Sequence, residues 1–483
     1  MTLNLEVSPG METAWCRTTV GALGALHCGQ SPKSAHVNGD GSGVTYVSGP
    51  EHWDGVVVHR SKWTTAPARL APARSVFITV KGSGVGTLFP GIDAAIGRDI
   101  YAFEPHPEID FRFVYRALQF SIQDVIGRAR GDIPGLSKSH ILDHPISVPG
   151  PRTQVAVASK IDELFSEIED GGRALDRAQR LAERYRQSIL RSAVTGELTR
   201  EWRERNPIAS ASGALQRFDD SRARFGRRSL PLPMAKVDEL PELPSSWTWT
   251  SLDSLADVVG GITVDQKRSP DGCDEVPYLR VANVQRGYLD LSEVKTIVAP
   301  RERIEQLRLQ PGDILFNEGG DIDKLGRGWL WQEELPICIH QNHVFRARLY
   351  SPGPWNKLIS WFCNVLGKRL FMDMGKQTTN LASLSLSKLK SVPVPLMSHE
   401  EAVEVVSRAE DALSVVDKYL TELAAQRRAS ANLRQAVLKA AFSGQLAPHD
   451  PSDEPASALL ARIATESTGI PIGARGRRRK AAA

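Results

Sequence analysis

Two glycine-rich regions of this chain carry side chains that could read the edges of DNA bases. Arginine and lysine suit the O6 and N7 atoms of guanine, asparagine and glutamine suit the N6 and N7 atoms of adenine, and glycine lets a loop approach a groove closely. The first region offers Arg60, Lys62, Lys81, Ser83 and Arg98. The second region offers Lys267, Arg268, Arg280, Asn283, Arg286, Asn317, Lys324, Arg327, Gln341, Asn342, Lys376, Gln377 and Asn380. Each residue alone is typical of a solvated loop, but the clusters indicate DNA reading.

Patterns that would indicate phosphate or nuclease chemistry are weak. The stretch KGSGVG (81–86) lacks the GK[ST] ending of a phosphate-binding loop, so it predicts a tight turn near a strand end. Asp290, Glu293 and Lys295 follow the spacing of a metal-nuclease motif, which also arises often by chance. Neither pattern is sufficient to predict an active site.

A metal site is also poorly supported. Cys338, His340 and His343 lie close together, but a zinc site would need a fourth ligand and a better-shaped framework, so hydrogen-bonding roles are favoured. No nucleophile, base and orienting group come together, and we therefore expect a non-catalytic chain with no metal or cofactor of its own.

An internal repeat reveals the elements that must hold these loops. The segment RQSILRSAVTGEL (186–198) returns as RQAVLKAAFSGQL (434–446), a shift of 248 residues in a chain of 483. A shift of about half the chain indicates a molecule built twice. LSK at 136–138 and at 386–388 extends the repeat. Each half therefore has one order: a globular module, a proline-rich exit, a long helix and a trailing segment.

Apolar residues recur every seven positions after each module. Such heptads predict a coiled-coil seam, and two such helices in one chain would most simply pack on each other. Gly171 and Gly172 interrupt the first run, and because each glycine costs about 1 kcal/mol in a helix interior, we expect a kink or break there. The first seam is Ile161, Leu164, Ile168, Leu175, Ala178, Ala182, Tyr185 and Ile189, and the second is Val406, Ala409, Leu413, Val416, Leu420 and Leu423.

The modules themselves are predicted to be strand-rich, because short apolar runs in them are broken by glycine and proline. These runs are Gly55–His59, Val76–Val80, Pro277–Val284, Asp313–Phe316 and His343–Leu349. The sequence thus predicts an α+β protein with a pseudo-two-fold repeat. Its segments are 1–150 (module 1), 151–205 (first long helix), 206–244 (linker), 245–396 (module 2), 397–447 (second long helix) and 448–483 (a C-terminal segment with a disordered basic tail).

Bulk composition agrees with a multidomain globular protein. Hydrophobic residues make up 41% and charged residues 24% of the chain, and its net charge of +4 neither demands nor excludes nucleic acid. The five cysteines are odd in number and are not spaced as CxxC pairs, which argues for a reducing compartment. With no secretory signal and no apolar run long enough for a membrane span, we expect a cytoplasmic protein.

Long stretches of the chain resemble the specificity (S) subunits of type I restriction–modification systems. The resemblance covers nearly the entire chain, in the order recognition domain, conserved helix, recognition domain, conserved helix. The matching stretches are VASKIDELFSEIE (157–169), RQSILRSAVTGEL (186–198), YLRVANVQRGYLDLSEVKTI (278–297), PGDILFNEGGDIDKLGRGW (311–329), CIHQNHVFRARL (338–349) and LRQAVLKAAFSGQLAPHDPSDEPASALLARI (433–463).

This resemblance implies a DNA-recognition subunit. Each module would be a target-recognition domain that reads one half of a bipartite asymmetric site, and the long helices would pack antiparallel and fix the gap. Two methyltransferase (M) subunits, which methylate an adenine, would dock on the helices, and restriction (R) subunits would join through them. S-adenosylmethionine, ATP and magnesium would belong to these partners. The candidate docking residues are Arg186, Gln187, Leu190, Gly196, Arg434, Gln435, Leu438 and Gly444.

Two other functions stay open at this stage. A stand-alone methyltransferase or nuclease would need the catalytic motifs that are missing here. A duplicated scaffold that binds only proteins would not need the basic loops that are rich in asparagine and glutamine. DNA-binding and catalytic assays on the purified chain would separate the three.

Overall fold

A computed structural model describes residues 15–82, 84–129, 135–207, 210–227, 229–237, 240–265, 272–320, 325–374, 376–377, 382–447 and 450–468. The chain divides into two compact units. Unit 1 combines Met1–Asp176 with Ala424–Ala483, and unit 2 is Arg177–Leu423. Helices and sheets are mixed in both, which confirms the predicted α+β class. None of the helices in the described ranges is both long and apolar enough to cross a membrane.

In its described residues, module 1 contains short strands, two α-helices and three 3₁₀ turns. The 3₁₀ turns are Val20–Leu23, Ser34–His36 and Pro50–His52. The helices are α1 (Phe111–Arg128) and α2 (Lys138–Leu142). The strands are β1 (Cys16–Thr19), β2 (Gly24–Cys28), β3 (Val37–Asn38), β4 (Val44–Val47), β5 (Trp63–Thr64), β6 (Leu70–Ala71), β7 (Val76–Thr79), β8 (Leu88–Pro90), β9 (Ala94–Ile96), β10 (Ile100–Pro105) and β11 (Pro145–Val148).

The strands of module 1 form two main sheets. One has the order β2-β10-β7-β8 and is antiparallel throughout. The other has the order β3-β5-β4-β9-β6 and contains one parallel pair, β4 with β9. The first and last strands, β1 and β11, pair with each other, so the module closes where the long helix begins.

The core of unit 1 includes both long helices, α3 (Pro151–Val194) and α11 (His399–Phe442). Ile161 and Phe165 of α3 and Leu438 of α11 are buried in the same cluster as the apolar face of α1. Phe442 of α11 packs against Phe113 of α1, with ring centroids 5.6 Å apart. Helix α12 (Ala456–Thr468) adds further apolar residues, so module 1 is completed by residues that follow both long helices in the sequence.

Unit 2 contains module 2 and the segment between α3 and module 2. That segment holds a 3₁₀ turn (Glu197–Thr199), α4 (Arg200–Arg205) and α5 (Ala211–Arg224). The module helices are α6 (Leu252–Leu255), α7 (Arg301–Leu307), α8 (Pro354–Val365), α9 (Gly367–Met374) and α10 (Leu386–Lys390). The strands are β12 (Thr248–Ser251), β13 (Ala256–Gly260), β14 (Cys273–Leu279), β15 (Val284–Gln285), β16 (Tyr288–Leu289), β17 (Lys295–Pro300), β18 (Ile314–Asn317), β19 (Gly319–Gly320), β20 (Gly328–Leu330), β21 (Ile339–His340), β22 (Val344–Leu349), β23 (Lys376–Gln377), β24 (Ala382–Ser383) and β25 (Pro393–Leu396).

Module 2 repeats the plan of module 1. Its main sheet has the order β13-β22-β18-β20, the counterpart of β2-β10-β7-β8, and β12 closes on β25 as β1 closes on β11. The sheet β17-β14-β21, the hairpin β15-β16 and the small sheet β19-β24-β23 complete it. Ser385 caps α10 as Ser137 caps α2, because the side-chain oxygen of each serine accepts a hydrogen bond from the backbone N–H three residues on. The duplication read from the sequence is therefore a duplication of fold.

The core of unit 2 is also completed by the long helices. Ile189 and Ala193 of α3, Ala409 and Val416 of α11, and Phe218 of α5 are buried in one cluster with the main sheet. The first half of α11 and the second half of α3 thus complete the core around module 2. The other halves of these helices complete the core around module 1.

Within each unit the long helices run antiparallel. In unit 1, Glu169 pairs with Arg434 (2.6 Å) and Asp176 with Arg427 (3.2 Å), so seven residues forward along α3 match seven residues back along α11. In unit 2, Arg186 pairs with Asp417 (2.5 Å). The heptads predicted that these helices pack on each other, and the family resemblance implied an antiparallel arrangement; both are confirmed.

The break expected at Gly171 and Gly172 is wrong. Helix α3 is continuous over 44 residues from Pro151 to Val194. The turns on either side of the glycines pack on apolar cores, with Phe165 in that of unit 1 and Ala182 and Ile189 in that of unit 2, and such packing supplies more helix stability than intrinsic propensity does. Tyr185, which was assigned to the first seam, is 58% exposed, whereas its neighbour Arg186 reaches Asp417 of α11.

Candidate nucleic-acid interface

The cationic candidates of module 1 lie on surface loops. Arg60 and Lys81 are exposed, and Arg98 is exposed beside Asp99, whose carboxylate lies 3.8 Å away. Lys62 donates to Ser48 Oγ (3.2 Å) and lies 3.7 Å from the carboxylate of Glu51. These side chains are therefore placed where phosphate or base edges could reach them.

A buried histidine fixes the loop that carries Arg60 and Lys62. His52 is 1% exposed, its Nε2 lies 3.1 Å from Ser48 Oγ, and its Nδ1 lies 3.2 Å from the carbonyl of His59. The ring thus ties the start of the segment 48–62 to its end. A loop held at both ends presents its outer side chains without a large entropic cost.

The segment Gly55–His59 is not the strand that its β-branched run predicts. Trp53 and Val58 form an isolated antiparallel bridge, and Asp54-Gly55 turns the chain between them. Gly55 has φ +100°, which a residue with a Cβ rarely adopts. Turn chemistry therefore overrides strand propensity here, and Val56 and Val57 lie at an exposed tip that the sequence reading missed. The Asp-Gly pair was the signal that could have found it.

Two asparagines of module 2 are removed from the set of base readers. Asn283 is 2% exposed, its Oδ1 accepts from the Arg280 backbone N–H, and its Nδ2 donates to the carbonyls of Asp290 and Glu293. Asn317 is fully buried and donates to the carbonyls of Val281 and Val284. Both amides hold the 281–293 segment from inside, because a buried polar group must find partners in the protein.

Three arginines of module 2 are half-buried and support the same region. Arg280 donates to the Glu293 carbonyl (3.3 Å) and lies 3.6 Å from its carboxylate. Arg286 donates to the Asn364 carbonyl (2.8 Å), and Arg327 donates to Gln285 Oε1 (2.6 Å). These guanidinium groups brace loops, and DNA contact through them remains a prediction.

Cys338, His340 and His343 do not converge on a common point. Burial raises the pKa of the Cys338 thiol to about 12 and lowers that of His340 to about 4, so neither is charged at neutral pH. His340 Nδ1–H donates to the Val344 carbonyl (2.6 Å), while His343 Nδ1 faces Glu318 Oε2 (2.5 Å). Across the described ranges, no group of three or more His, Cys, Asp or Glu side chains could hold a metal ion. Gln341 and Asn342 are half-buried at the edge of this turn.

The nuclease-like trio of module 2 is engaged in local contacts. Asp290 accepts from the backbone N–H and hydroxyl of Ser292, which lower the pKa of its carboxyl group. Glu293 lies 3.6 Å from Lys295 and also pairs with Arg280.

Some candidates cannot be placed. Ser83, Lys267, Arg268, Lys324 and Asn380 lie outside the described residues, and of Lys376 and Gln377 only the pairing of their backbone in β23 is described.

The repeated segments on the long helices make equivalent contacts in the two units. Arg186 of α3 pairs with Asp417 of α11, and its counterpart Arg434 of α11 pairs with Glu169 of α3. The guanidinium of Arg434 also lies 5.1 Å from the ring centroid of Phe165. Contacts inside the chain therefore explain why this arginine occurs in both copies.

Four of the other repeated residues are likewise used within the chain. Leu190 is half-buried and packs on the core of unit 2, and Leu438 is buried in the core of unit 1. Gly196 (φ +81°) and Gly444 (φ +75°) end their helices in the left-handed conformation that favours glycine. Gln187 and Gln435 are exposed, which leaves them accessible to a partner.

Gln187 lines a cleft of about 1050 Å³ within unit 2. The long helices supply Gln187 and Leu413, the β15-β16 hairpin supplies Tyr288, and α8 supplies Trp361. This cleft combines apolar rings with polar side chains from the helices.

Comparisons with known proteins place the chain beside one group. No protein-family model matches the chain. It is 24% identical over 384 residues to the type I restriction enzyme EcoDI specificity subunit of Escherichia coli, covering 76% of this chain and 78% of that protein. It is 23% identical over 331 residues to the EcoKI specificity subunit of E. coli strain K12, covering 66% of this chain and 63% of that protein. The EcoBI specificity subunit of E. coli is 23% identical over 366 residues, covering 74% and 71%.

Solved structures share the fold. A chain from a type I restriction–modification system, solved to explain complex assembly and conformational transition, superposes with a TM-score of 0.64 at 15% identity, covering 91% of this chain and 99% of that chain. The HsdS subunit of Thermoanaerobacter tengcongensis gives a TM-score of 0.50 at 16% identity, covering 91% and 98%.

Proposed function

This chain belongs to the specificity subunits of type I restriction–modification systems, and we propose that it selects the DNA site at which partner subunits methylate or cut. Module 1 reads one half of a bipartite site, module 2 reads the other, and the long helices set the gap between them. The chain is the non-catalytic, DNA-recognition member of the complex.

The observation that carries the proposal is the repeated fold with different loops. Both modules have the same strand order in the main sheet, and both are completed by the same two long helices. Their outer loops differ, with Arg60, Lys62 and Lys81 in module 1 and Gln341 and Asn342 in module 2. One scaffold with two sets of loops suits two half-sites of different sequence.

Linking two readers also has an energetic consequence. Binding of the first module turns the second binding step into an intramolecular one, so the affinity of the pair exceeds that of either module. Because the linker is a pair of 44-residue helices and not a flexible chain, spacing becomes a recognised quantity.

Methyltransferase subunits are the proposed protein partners, with restriction subunits joining through them. The exposed Gln187 and Gln435 are the docking candidates whose side chains are not used in packing. S-adenosylmethionine, ATP and magnesium are expected in those partners, since the chemistry of methyl transfer and cleavage belongs to them. A cytoplasmic location follows from the same proposal.

Mobility-shift assays test the function directly. The full chain, with and without a co-expressed methyltransferase subunit, is titrated with a duplex that contains the site defined by methylome sequencing and with a scrambled duplex. Preference for the site supports the proposal. Absence of DNA binding even with the methyltransferase subunit favours the protein scaffold, and methylation or cleavage by the purified chain alone favours an enzyme.

A module exchange tests the division of labour. Replacing residues 12–150 with the first module of another specificity subunit should change one half-site in the methylome and leave the other intact. A change in both half-sites would refute the two-reader model.

The role of the helices as a ruler can be tested by lengthening both. Seven residues inserted after Arg180 in α3 and seven after Leu423 in α11 keep the partners of Arg186 and Arg434 in register. The methylated site should then tolerate a longer gap. An insertion in α3 alone is the matched control, since it breaks the pairing, and an unchanged gap in the double insertion would rule out the ruler.

A further inference from the structure

The hairpin around Asp54 in module 1 is anchored firmly at its base. Trp53 stacks on Phe89 with ring centroids 5.8 Å apart and an interplanar angle of 13°. Trp53 and Val58, joined by the antiparallel bridge, both pack on the buried cluster that contains Phe77 and Phe89. The base of the hairpin is therefore part of the core of module 1.

The tip of the hairpin is held by its own hydrogen bonds. Oδ1 of Asp54 accepts from the backbone N–H groups of Val56 and Val57, both at 2.8 Å. Oδ2 of Asp54 lies 2.7 Å from His59 Nε2. An aspartate that accepts from residues two and three positions on fixes a tight turn, so the tip has a defined shape before any ligand arrives.

This ordered tip presents two apolar side chains to solvent. Val56 is 80% exposed and Val57 is 51% exposed. One exposed apolar residue needs no explanation, but two adjacent β-branched residues at the end of a rigid projection form a small apolar knob. Their neighbour Val58 faces the core, so the hairpin separates an anchoring valine from two outward ones.

The knob lies among the cationic candidates of module 1. Arg60 and Lys62 follow it directly in the chain. The loop that carries Lys81 lies against the segment that leads into the hairpin, because a Cβ atom built on Gly84 would lie 2.5 Å from Cγ of Pro50. Cations around an apolar knob suit DNA, where phosphate contacts position the protein and groove contacts specify the sequence.

We propose that Val56 and Val57 enter the major groove of the first half-site and contact the C5-methyl groups of thymine. That methyl group is the apolar feature that a base pair presents in the major groove, and small apolar side chains are its usual partners. The pre-ordered turn means that little conformational freedom is lost on contact. This inference rests on the proposed function and adds which residues read which chemical group.

Deoxyuridine substitution tests the contact without altering the protein. The full chain, with its methyltransferase partner if binding requires it, is titrated with duplexes in which each thymine of the module 1 half-site is replaced in turn by deoxyuridine, which lacks only the methyl group. At the contacted positions binding should weaken about fourfold, the factor that corresponds to one buried methyl group. Equal affinity for all the duplexes would overturn the proposal.

A double variant closes the thermodynamic cycle. Val56→Ala with Val57→Ala should bind the thymine duplex more weakly than the original chain and should lose its sensitivity to deoxyuridine. Leu70→Ala is the matched control, because Leu70 is 55% exposed on β6 of the same module and lies outside the hairpin. It should keep both the affinity and the sensitivity. If the double variant remained as sensitive as the original chain, the methyl contact would lie elsewhere and the proposal would fail.

The outcomes separate this inference from the proposed function. A chain that binds no DNA would overturn both. If the chain prefers its site but the half-site read by module 1 contains no thymine on either strand, the valine contact alone would be overturned. Weakened binding of the methyltransferase subunit in the double variant, with no effect of deoxyuridine, would assign the knob to a protein partner and refute the proposal.

Discussion

Replacing Gly171 and Gly172 with alanine should stabilise the first long helix. Both glycines lie inside α3, and an ideal Cβ atom built on either one has no heavy atom within 4 Å outside the adjacent helix backbone. Alanine therefore meets no steric obstacle. Because glycine is less favourable than alanine in a helix interior by about 0.8–1.0 kcal/mol, the double variant should gain about 2 kcal/mol against local opening.

Hydrogen exchange followed by mass spectrometry measures this gain where it arises. Amides in the 165–180 region should exchange about 30-fold more slowly in the double variant, since each 1.4 kcal/mol is a factor of ten. Amides of module 2 provide an internal reference that should not change.

Gly196→Ala is the matched control with the opposite sign. Gly196 has φ +81°, where an L-residue costs about 1–2 kcal/mol, and the new Cβ atom would lie 2.5 Å from Cγ of Pro244. This variant should accelerate exchange around the end of α3. Unchanged or faster exchange at 165–180 in the double glycine variant would refute the conclusion that α3 is a continuous helix at these positions.

Three further predictions concern single contacts. The Arg186–Asp417 and Arg434–Glu169 pairs are solvent-exposed, so double-mutant cycles in denaturant should give coupling energies of about 0.2–1 kcal/mol that decrease at high salt, and a much larger value would contradict an exposed pair. The hydrogen bonds from the backbone of Val57 and Val56 lower the pKa of Asp54 to about 2, below its value in the unfolded chain. The order that these bonds give the hairpin should therefore be complete above about pH 4 and lost as the pH falls through about 2. Methyl NMR signals of Val56 that do not change over this range would contradict the prediction. Burial raises the pKa of the Cys338 and Cys363 thiols to about 12, so iodoacetamide on the native chain should alkylate the half-buried Cys16, Cys28 and Cys273 and leave those two intact, as mass spectrometry of peptides would verify.

The long helices were predictable because their signals are local and repeated. Heptads marked α3 and α11, and the proline-rich exits marked the point at which each helix begins. The equivalence of 186–198 with 434–446 predicted the equivalence of the two modules. The prediction of a break at Gly171 and Gly172 was wrong because propensity is local, whereas α3 is held by packing against residues far away in the sequence, such as Leu438 in the core that buries Phe165.

The binding surface was less predictable, because the folded structure decides which of the candidate side chains are buried. Asn283 and Asn317 look in the sequence like exposed amides in glycine-rich loops, but Asn283 donates to carbonyls of its own folded loop, and Asn317 donates to the carbonyl of Val284, which lies 33 residues earlier. Val56 was hidden for a different reason. The run GVVVH has high strand propensity, and the competing turn of Asp54-Gly55 prevailed.

The composition of the two units has a consequence for synthesis on the ribosome. Unit 2 is a continuous stretch, Arg177–Leu423, whereas unit 1 combines residues before Arg177 with residues from Ala424 onward. Module 1 is translated before module 2, yet Leu438, Phe442 and the apolar face of α12 reach its core only after module 2 has been translated. The nascent module 1 therefore exposes an apolar face to solvent until module 2 has been translated. Premature termination after module 2 would therefore leave the core of module 1 incomplete, although the termination point lies far downstream of that module.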